Sequence, residues 1–131
     1  MKIKDKKILV CDDDQGILEM LELLLDDDGY EVVLEPNSVN VLRTIAKEQP
    51  DLILLDIWMP VISGDQILKT LKADHGKQHI PVLMYSASTE GKAIAESSGA
   101  DAFLSKPFDL VALLSEIESL LDRKLDNHIN N

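Results

Sequence analysis

The sequence predicts a doubly wound α/β domain, in which five parallel strands form one sheet with helices on both faces. Two observations predict it: five short apolar runs recur along the chain, and amphipathic stretches with helical spacing separate them. Runs of four or five apolar residues with β-branched members are typical of strands buried on both faces, as in parallel sheets. Five alternations of strand and helix indicate right-handed crossovers and a (βα)5 architecture.

The predicted strands are residues 8–11, 31–34, 52–55, 81–85 and 102–104. Apolar residues at helical spacing span residues 17–25, where Gly29 supplies the stop, and residues 41–46, which precede Pro50. Further helical patterns cover residues 67–71, 89–98 and 110–121. The fourth of these helices has few apolar side chains and is expected to be short. We predict one domain over residues 1–125 and a polar, frayed tail over residues 126–131.

Composition excludes several classes of function. The chain has 131 residues, enough for one domain, and its 45% hydrophobic content is enough for a core. The 24 acidic residues outnumber the 13 basic ones, which disfavours nucleic acid and anionic membranes as partners. No signal peptide and no membrane-spanning run is recognisable, so the expected location is cytoplasmic. Cys11 lies within an apolar run and is expected to be a buried thiol.

Polar residues follow four of the five predicted strands. Asp12, Asp13 and Asp14 follow the first, and the third, fourth and fifth are followed by single polar or charged residues: Asp56, Ser86 and Lys106. Ligands of open parallel sheets bind at the carboxyl ends of the strands. We therefore expect these side chains to meet at one edge of the sheet, except Asp14, which is better placed to cap the first helix than to bind metal.

Such a cluster needs compensation for its charge. Two carboxylates about 4 Å apart repel by roughly 4 kcal/mol at an effective dielectric constant near 20. The cluster must therefore bind protons, pair with Lys106, or bind a hard cation such as Mg²⁺, which prefers oxygen ligands. A bound cation would let a phosphate approach, and Asp56 could then act as a nucleophile that forms an acyl phosphate. Lys106 would neutralise the transferred group, and the Ser86 hydroxyl would donate to it.

Four ordered motifs give the sequence a resemblance to the receiver domains of two-component response regulators, from residue 7 to about residue 124. They are ILVCDDD at residues 8–14, DLILLDIWMP at 51–60 with Gly64, PVLMYSA at 81–87, and GADAFLSKPF at 99–108. The resemblance implies a flavodoxin-like fold with strand order 2-1-3-4-5. It also implies a phosphoacceptor switch of a two-component or phosphorelay system, which takes its phosphoryl group from phosphohistidine with the help of Mg²⁺.

The resemblance also implies a role for each site residue. Asp56 is the phosphoacceptor, and Asp12 and Asp13 hold Mg²⁺, with Mn²⁺ as an alternative, together with Asp56 and the backbone carbonyl of Trp58. Lys106 contacts the phosphoryl group, and the peptide between Lys106 and Pro107 is cis. The switch positions are occupied by Ser86 and Phe103. The loop after the acceptor strand is shaped by Pro60 and Gly64.

The implied partners are a sensor histidine kinase or a histidine phosphotransfer protein as donor, and an unidentified downstream protein. Phosphorylation would reshape the face made by the fourth helix, the fifth strand and the fifth helix. No output domain follows in this sequence, so protein contact or onward phosphotransfer is expected. Such a domain catalyses only its own phosphorylation and dephosphorylation and is not counted as an enzyme. Glu116 and Glu118 disfavour the symmetric dimer that basic residues support on this face, so we expect a monomer or a weak dimer.

Several features depart from the family pattern. Phe103 lacks the hydroxyl of tyrosine and should favour a buried position, and the stretch from Ser86 to Lys106 is about two residues short. Trp58 is bulky beside the acceptor, and we hypothesise that it hinders the attacking water and prolongs the phosphorylated state. Trp58 also disfavours an aspartyl phosphatase, which needs an aspartate at that place. The acidic residues after the first strand disfavour an FMN module, which needs a loop rich in Ser, Thr and Gly. An adaptor that works without phosphorylation remains the alternative.

Overall fold

The computed structural model describes residues 5–129 and has five strands and five α-helices in strict alternation, with one short 3₁₀ helix (Ser38–Asn40) after the second strand. The elements are β1 (Lys7–Cys11), α1 (Gln15–Asp27), β2 (Glu31–Glu35), α2 (Val41–Glu48), β3 (Leu52–Asp56), α3 (Gly64–Lys72), β4 (Val82–Ser86), α4 (Gly91–Ser98), β5 (Ala102–Ser105) and α5 (Leu110–Ile129). All strand pairs are parallel, and their order is β2-β1-β3-β4-β5. The predicted doubly wound (βα)5 fold and its strand order are therefore confirmed.

The sheet separates two apolar cores. One core packs α1 and α5 against the sheet, and the other packs α2, α3 and α4 against the opposite face. The central strands β3 and β4 are buried along their whole length, and β1 is buried from Ile8 onward. β2 and β5 are mostly half-buried, so the prediction of burial on both faces is wrong for them. Each is an edge strand with a neighbour on one side only.

The helix ends follow from local chemistry. The Asp14 carboxylate accepts hydrogen bonds from the backbone N–H groups of Gly16 (2.9 Å) and Ile17 (3.3 Å), which confirms it as the N-cap of α1. The fourth helix is short, as predicted, and covers eight residues. α5 continues to Ile129, beyond the predicted start of the tail at Asp126, and Asn130 and Asn131 lie outside the described residues. The division of the chain at residue 125 stays a prediction.

Candidate functional site

Three carboxylates meet at the carboxyl edge of the sheet. Asp12 and Asp13 follow β1, and Asp56 ends β3, which pairs with β1 in a register that aligns Cys11 with Leu55. One oxygen from each of the three side chains lies within 4.8 Å of the others. Asp12 is fully buried, Asp56 is 5% exposed, and Asp13 is exposed at the mouth of the site. The strand pairing thus forces like charges together in a place where water screens them poorly.

Lys106 supplies positive charge to this cluster. Its Nζ lies 3.2 Å from Asp12 Oδ2 and 3.8 Å from Asp56 Oδ2. Its backbone N–H donates to the carbonyl of Ser86 (2.9 Å), which fixes the start of the Lys106 side chain beside the end of β4. The Lys106 side chain is only 18% exposed. One ammonium group therefore serves two buried carboxylates, and the three-carboxylate cluster retains an excess of negative charge.

The electrostatics of Asp56 follow from this arrangement. Burial, reinforced by the charge of Asp12, raises the pKa of Asp56 to about 6, although Lys106 acts in the opposite direction. Ionisation of Asp56 in this place therefore costs free energy, and a bound cation would lower that cost. Clustered carboxylate oxygens are the ligands that Mg²⁺ prefers, and the site leaves its mouth open through the exposed Asp13. The donor set therefore fits a hard divalent cation.

The loop after β3 is held close to Asp56. The Trp58 N–H lies 3.4 Å from Asp56 Oδ1, and the indole is 51% exposed. Gly64 donates its N–H to the carbonyl of Ile57 (2.7 Å), and a Cβ built at Gly64 would lie 2.3 Å from the carbonyl oxygen of Asp56. No side chain fits at that position. Gly64 therefore lets α3 begin directly against the backbone of β3.

A second anchor for this loop comes from the segment that follows β2. The Ser38 hydroxyl donates to the carbonyl of Pro60 and accepts from the N–H of Ile62 (3.3 Å). We call this pair of contacts the Ser38 clamp. Between the two clamped residues, Val61 adopts a φ of 72° with its side chain 85% exposed. A β-branched residue in this region is strained, so the clamp holds the loop in a conformation that Val61 itself disfavours.

The two predicted switch residues lie on the face of the sheet that packs against α4. Ser86 is the buried last residue of β4, and its Oγ accepts from the N–H of Ser88 (2.9 Å). Phe103 in β5 is half-buried and packs against the core on the α2, α3 and α4 face. The peptide between Lys106 and Pro107 is cis, as the resemblance implies.

Two residues of the site were not predicted from the sequence. Tyr85 is fully buried, its ring centroid lies 5.0 Å from Lys106 Nζ, and its hydroxyl donates to the carbonyl of Cys11 (3.4 Å). Burial raises the pKa of this hydroxyl well above its ordinary value, so the ring supports Lys106 as a neutral group. In the sequence, Tyr85 reads only as part of an apolar strand. Ser38 reads only as a turn residue beside Pro36 and Asn37.

The family model described as response regulator receiver domain matches residues 8–118. The chain belongs to this family. This match confirms the resemblance seen in the sequence. Receiver domains are, as a family, the phosphoacceptor switches of two-component signalling. The part of the chain that the structure describes contains no helix long and apolar enough to cross a membrane.

Relatives and solved structures agree with the family. The transcriptional regulatory protein PrrA of Mycobacterium tuberculosis is 34% identical over 93% of this chain and 52% of its own length. The DNA-binding response regulator MtrA of Mycobacterium leprae is 32% identical over 92% of this chain and 53% of its own. This receiver domain thus spans about half the length of these curated relatives.

Two solved structures match over almost their whole length. The CheY-like receiver domain protein of Methanospirillum hungatei is 30% identical, with a TM-score of 0.85 over 93% of this chain and 98% of its own. The chemotaxis protein CheY4 of Vibrio cholerae is 31% identical, with a TM-score of 0.80 over 88% of this chain and 98% of its own. The described fold is therefore that of a receiver domain.

Proposed function

We propose that this receiver domain is a signalling switch that accepts a phosphoryl group on Asp56. The observation that carries the proposal is the cluster of Asp12, Asp13 and Asp56, whose oxygens lie within 4.8 Å of one another, with Lys106 as its counter-charge. Asp56 is the member that ends a central strand, and both cationic and hydrogen-bonding groups surround it. An acidic cluster that only stabilised the fold would not need buried like charges.

The chemical step is a transfer between two nucleophiles. The bond between phosphorus and the imidazole nitrogen of a phosphohistidine breaks, and a bond from phosphorus to an Asp56 carboxylate oxygen forms. The imidazole leaves and takes up a proton, and the product is an acyl phosphate. Water later attacks this phosphate and regenerates the carboxylate. The protein therefore acts on itself and returns to its starting state.

Asp12, Asp13, Asp56 and the backbone carbonyl of Trp58 would hold Mg²⁺, with Mn²⁺ as an alternative, because all four offer hard oxygen ligands. When bound, the ion supplies the positive charge that an anionic phosphoryl group needs in order to enter an acidic site. Asp13 is exposed and Asp12 is buried, so the ligands reach from the mouth of the site to its floor.

Lys106 and Ser86 would act on the incoming group. Lys106 Nζ already lies 3.8 Å from Asp56 Oδ2, so it is placed to neutralise charge on a phosphoryl oxygen bound there. The Ser86 hydroxyl is held by the N–H of Ser88 and can turn to donate to a second oxygen. Movement of Ser86 would then be passed to Phe103 and to the face made by α4, β5 and α5, where a downstream protein binds.

The donor would be a sensor histidine kinase or a histidine phosphotransfer protein, in the cytoplasm. An apolar groove opens beside Lys106, and a protein that brings phosphohistidine to Asp56 would cover it. Its other lining residues are Ile17, Met20, Ala87, Pro107, Phe108 and Leu110. Met20, on α1, is 39% exposed. Met20→Glu should slow transfer from a phosphorylated histidine phosphotransfer protein and leave phosphorylation by acetyl phosphate unchanged, and equal rates with both donors would contradict this docking.

Intact mass spectrometry after incubation with acetyl phosphate tests the acceptor itself. The parent should gain one phosphoryl group in the presence of Mg²⁺ and none in its absence. Asp56→Asn should gain none under either condition. Asp14→Asn is the matched control: it neutralises a neighbouring aspartate outside the cluster, asparagine is an equally good N-cap, and phosphorylation should persist.

Two outcomes would argue against the proposal. A mass gain that survives in Asp56→Asn would assign the phosphoryl group to another residue. No gain in the parent with either acetyl phosphate or a phosphohistidine donor, while Mg²⁺ binds, would favour the adaptor that works without phosphorylation.

A further inference from the structure

Gly91, the first residue of α4, lies where a side chain has no room. A Cβ built at this residue would lie 2.7 Å from the Cβ of Ser86, 3.0 Å from Cζ of Phe103 and 3.1 Å from its Cε1. Gly91 is buried, and its N–H donates to the carbonyl of Ser88 (3.2 Å), which ties the helix start to the short loop after β4. The helix backbone therefore touches Ser86 and Phe103 at a single point.

The Phe103 ring reaches this point because of its place in the sheet. Phe103 pairs with Met84, and Ser86 pairs with Ser105, so the side chains of Ser86 and Phe103 project from the same face toward α4. The tip of the ring, at Cζ and Cε1, is the part that approaches Gly91. Any residue other than glycine would have to displace the ring tip, Ser86 or the start of the helix.

We propose that Gly91 is a positioning residue that admits the Phe103 ring to its inward position and places it in contact with the same helix turn as Ser86. Because Gly91 has no side chain, the Phe103 ring has room to lie inward in the unphosphorylated protein. The coupling that follows rests on the proposed function: a shift of Ser86 toward Asp56 would change the space at Gly91 and so reach the ring through the helix start.

Ring position can be measured without phosphorylation, so the result does not depend on whether Asp56 accepts a phosphoryl group. The chain has two phenylalanines, Phe103 and Phe108, so selective ¹³C labelling of phenylalanine gives a simple spectrum. The signals that disappear in Phe103→Leu are those of Phe103. The parent, free of Mg²⁺, should show nuclear Overhauser contacts between the Phe103 ring tip and the Gly91 α-protons. Gly91→Ala should lose the contacts from the ring tip to residue 91 and shift the Phe103 resonances, with Phe108 unchanged.

Urea unfolding of the full chain provides the second readout. Alanine is favoured over glycine in helices, so Gly91→Ala would raise the urea midpoint if the site had room. We expect it to lower the midpoint instead. Gly16→Ala is the matched control, because Gly16 lies exposed in the first turn of α1 and a Cβ there meets only the Asp14 carboxylate oxygen, at 3.3 Å. That variant should change the midpoint much less than Gly91→Ala does.

The decrease in the urea midpoint caused by Gly91→Ala should depend on the Phe103 ring. In a Phe103→Leu background, which lacks Cζ and Cε1, Gly91→Ala should lower the midpoint by less than half as much as it does in the parent. If Gly91→Ala alone fails to fold, recovery of folding in the double variant supports the proposal. An equal loss in both backgrounds would overturn it, because Ser86 alone would then be the obstacle. A Gly91→Ala protein with an unchanged ring spectrum would overturn it as well.

Discussion

Replacement of Asp56 by asparagine should stabilise the metal-free protein at alkaline pH, although it removes the proposed acceptor. In the parent, the ionised Asp56 lies buried beside the fully buried Asp12, and both share the single ammonium of Lys106. Asparagine has nearly the same shape and no charge. Lys106 keeps its contact of 3.2 Å with Asp12 in the variant, so the substitution removes repulsion without leaving the lysine unpaired.

The size of the effect follows from the pKa of Asp56, which is raised from an ordinary 3.8 to about 6. The folded protein therefore binds this proton more tightly than the unfolded chain does. The stability that this provides is fully present below pH 4 and is lost as pH rises through about 6. With about 1.4 kcal/mol for each pH unit between the two pKa values, Asp56→Asn should gain about 3 kcal/mol at pH 8 and about 1 kcal/mol at pH 4.5.

Urea unfolding in the presence of EDTA at these two pH values measures the difference. Asp14→Asn serves as the control, since Asp14 is exposed and caps α1, and its effect should be small at both pH values. Addition of Mg²⁺ at pH 8 should stabilise the parent more than Asp56→Asn and narrow the gap. The reasoning is refuted if Asp56→Asn is no more stable than the parent at pH 8, or if its gain is the same at both pH values.

Three further substitutions test the loop after Asp56. Gly64→Ala should destabilise by more than about 2 kcal/mol in urea unfolding, because its Cβ would lie 2.3 Å from a backbone oxygen, whereas Gly76→Ala, with 3.4 Å to the nearest side-chain atom, should change stability little. Val61→Asn should stabilise by about 1 kcal/mol, because asparagine tolerates a φ of 72° better than valine; a loss of stability would show that Val61 is not strained. Trp58→Asn should speed the loss of the phosphoryl group from Asp56, as measured by mass spectrometry over time. An unchanged lifetime would show that Trp58 does not hinder the attacking water.

The fold could be predicted because its strands are short, apolar and separated by helical periodicity. The strand positions also predicted where the candidate site lies, because polar residues at the carboxyl ends of parallel strands meet at one edge of the sheet. Asp56 and Ser86 turned out to be the last residues of β3 and β4 rather than the first residues after them. Ladder hydrogen bonds extend one residue further than the apolar runs, as in the bond from the N–H of Ile57 to the carbonyl of Tyr85.

Close approaches between distant segments could not be predicted in this way. Nothing in the local sequence indicates that the Ser38 hydroxyl binds a loop 22 residues away, or that Gly91 lies against the ring of Phe103. The positive φ of Val61 was equally hidden, because valine is a residue type that favours extended backbone. These features depend on three-dimensional packing, and periodicity carries no information about which atoms will finally touch.

The Ser38 clamp has a practical use in optical sensing. It anchors the loop after Asp56 to the segment that follows the edge strand β2, and its neighbour Val39 is 50% exposed. The chain has one cysteine, Cys11, which is buried and, with its thiol pKa raised by burial, resists labelling reagents. A fluorophore attached through Val39→Cys would therefore lie one residue from Ser38, which anchors the loop after Asp56. Phosphorylation of Asp56 that moves this loop should change the fluorescence, and the label lies outside α4, β5 and α5.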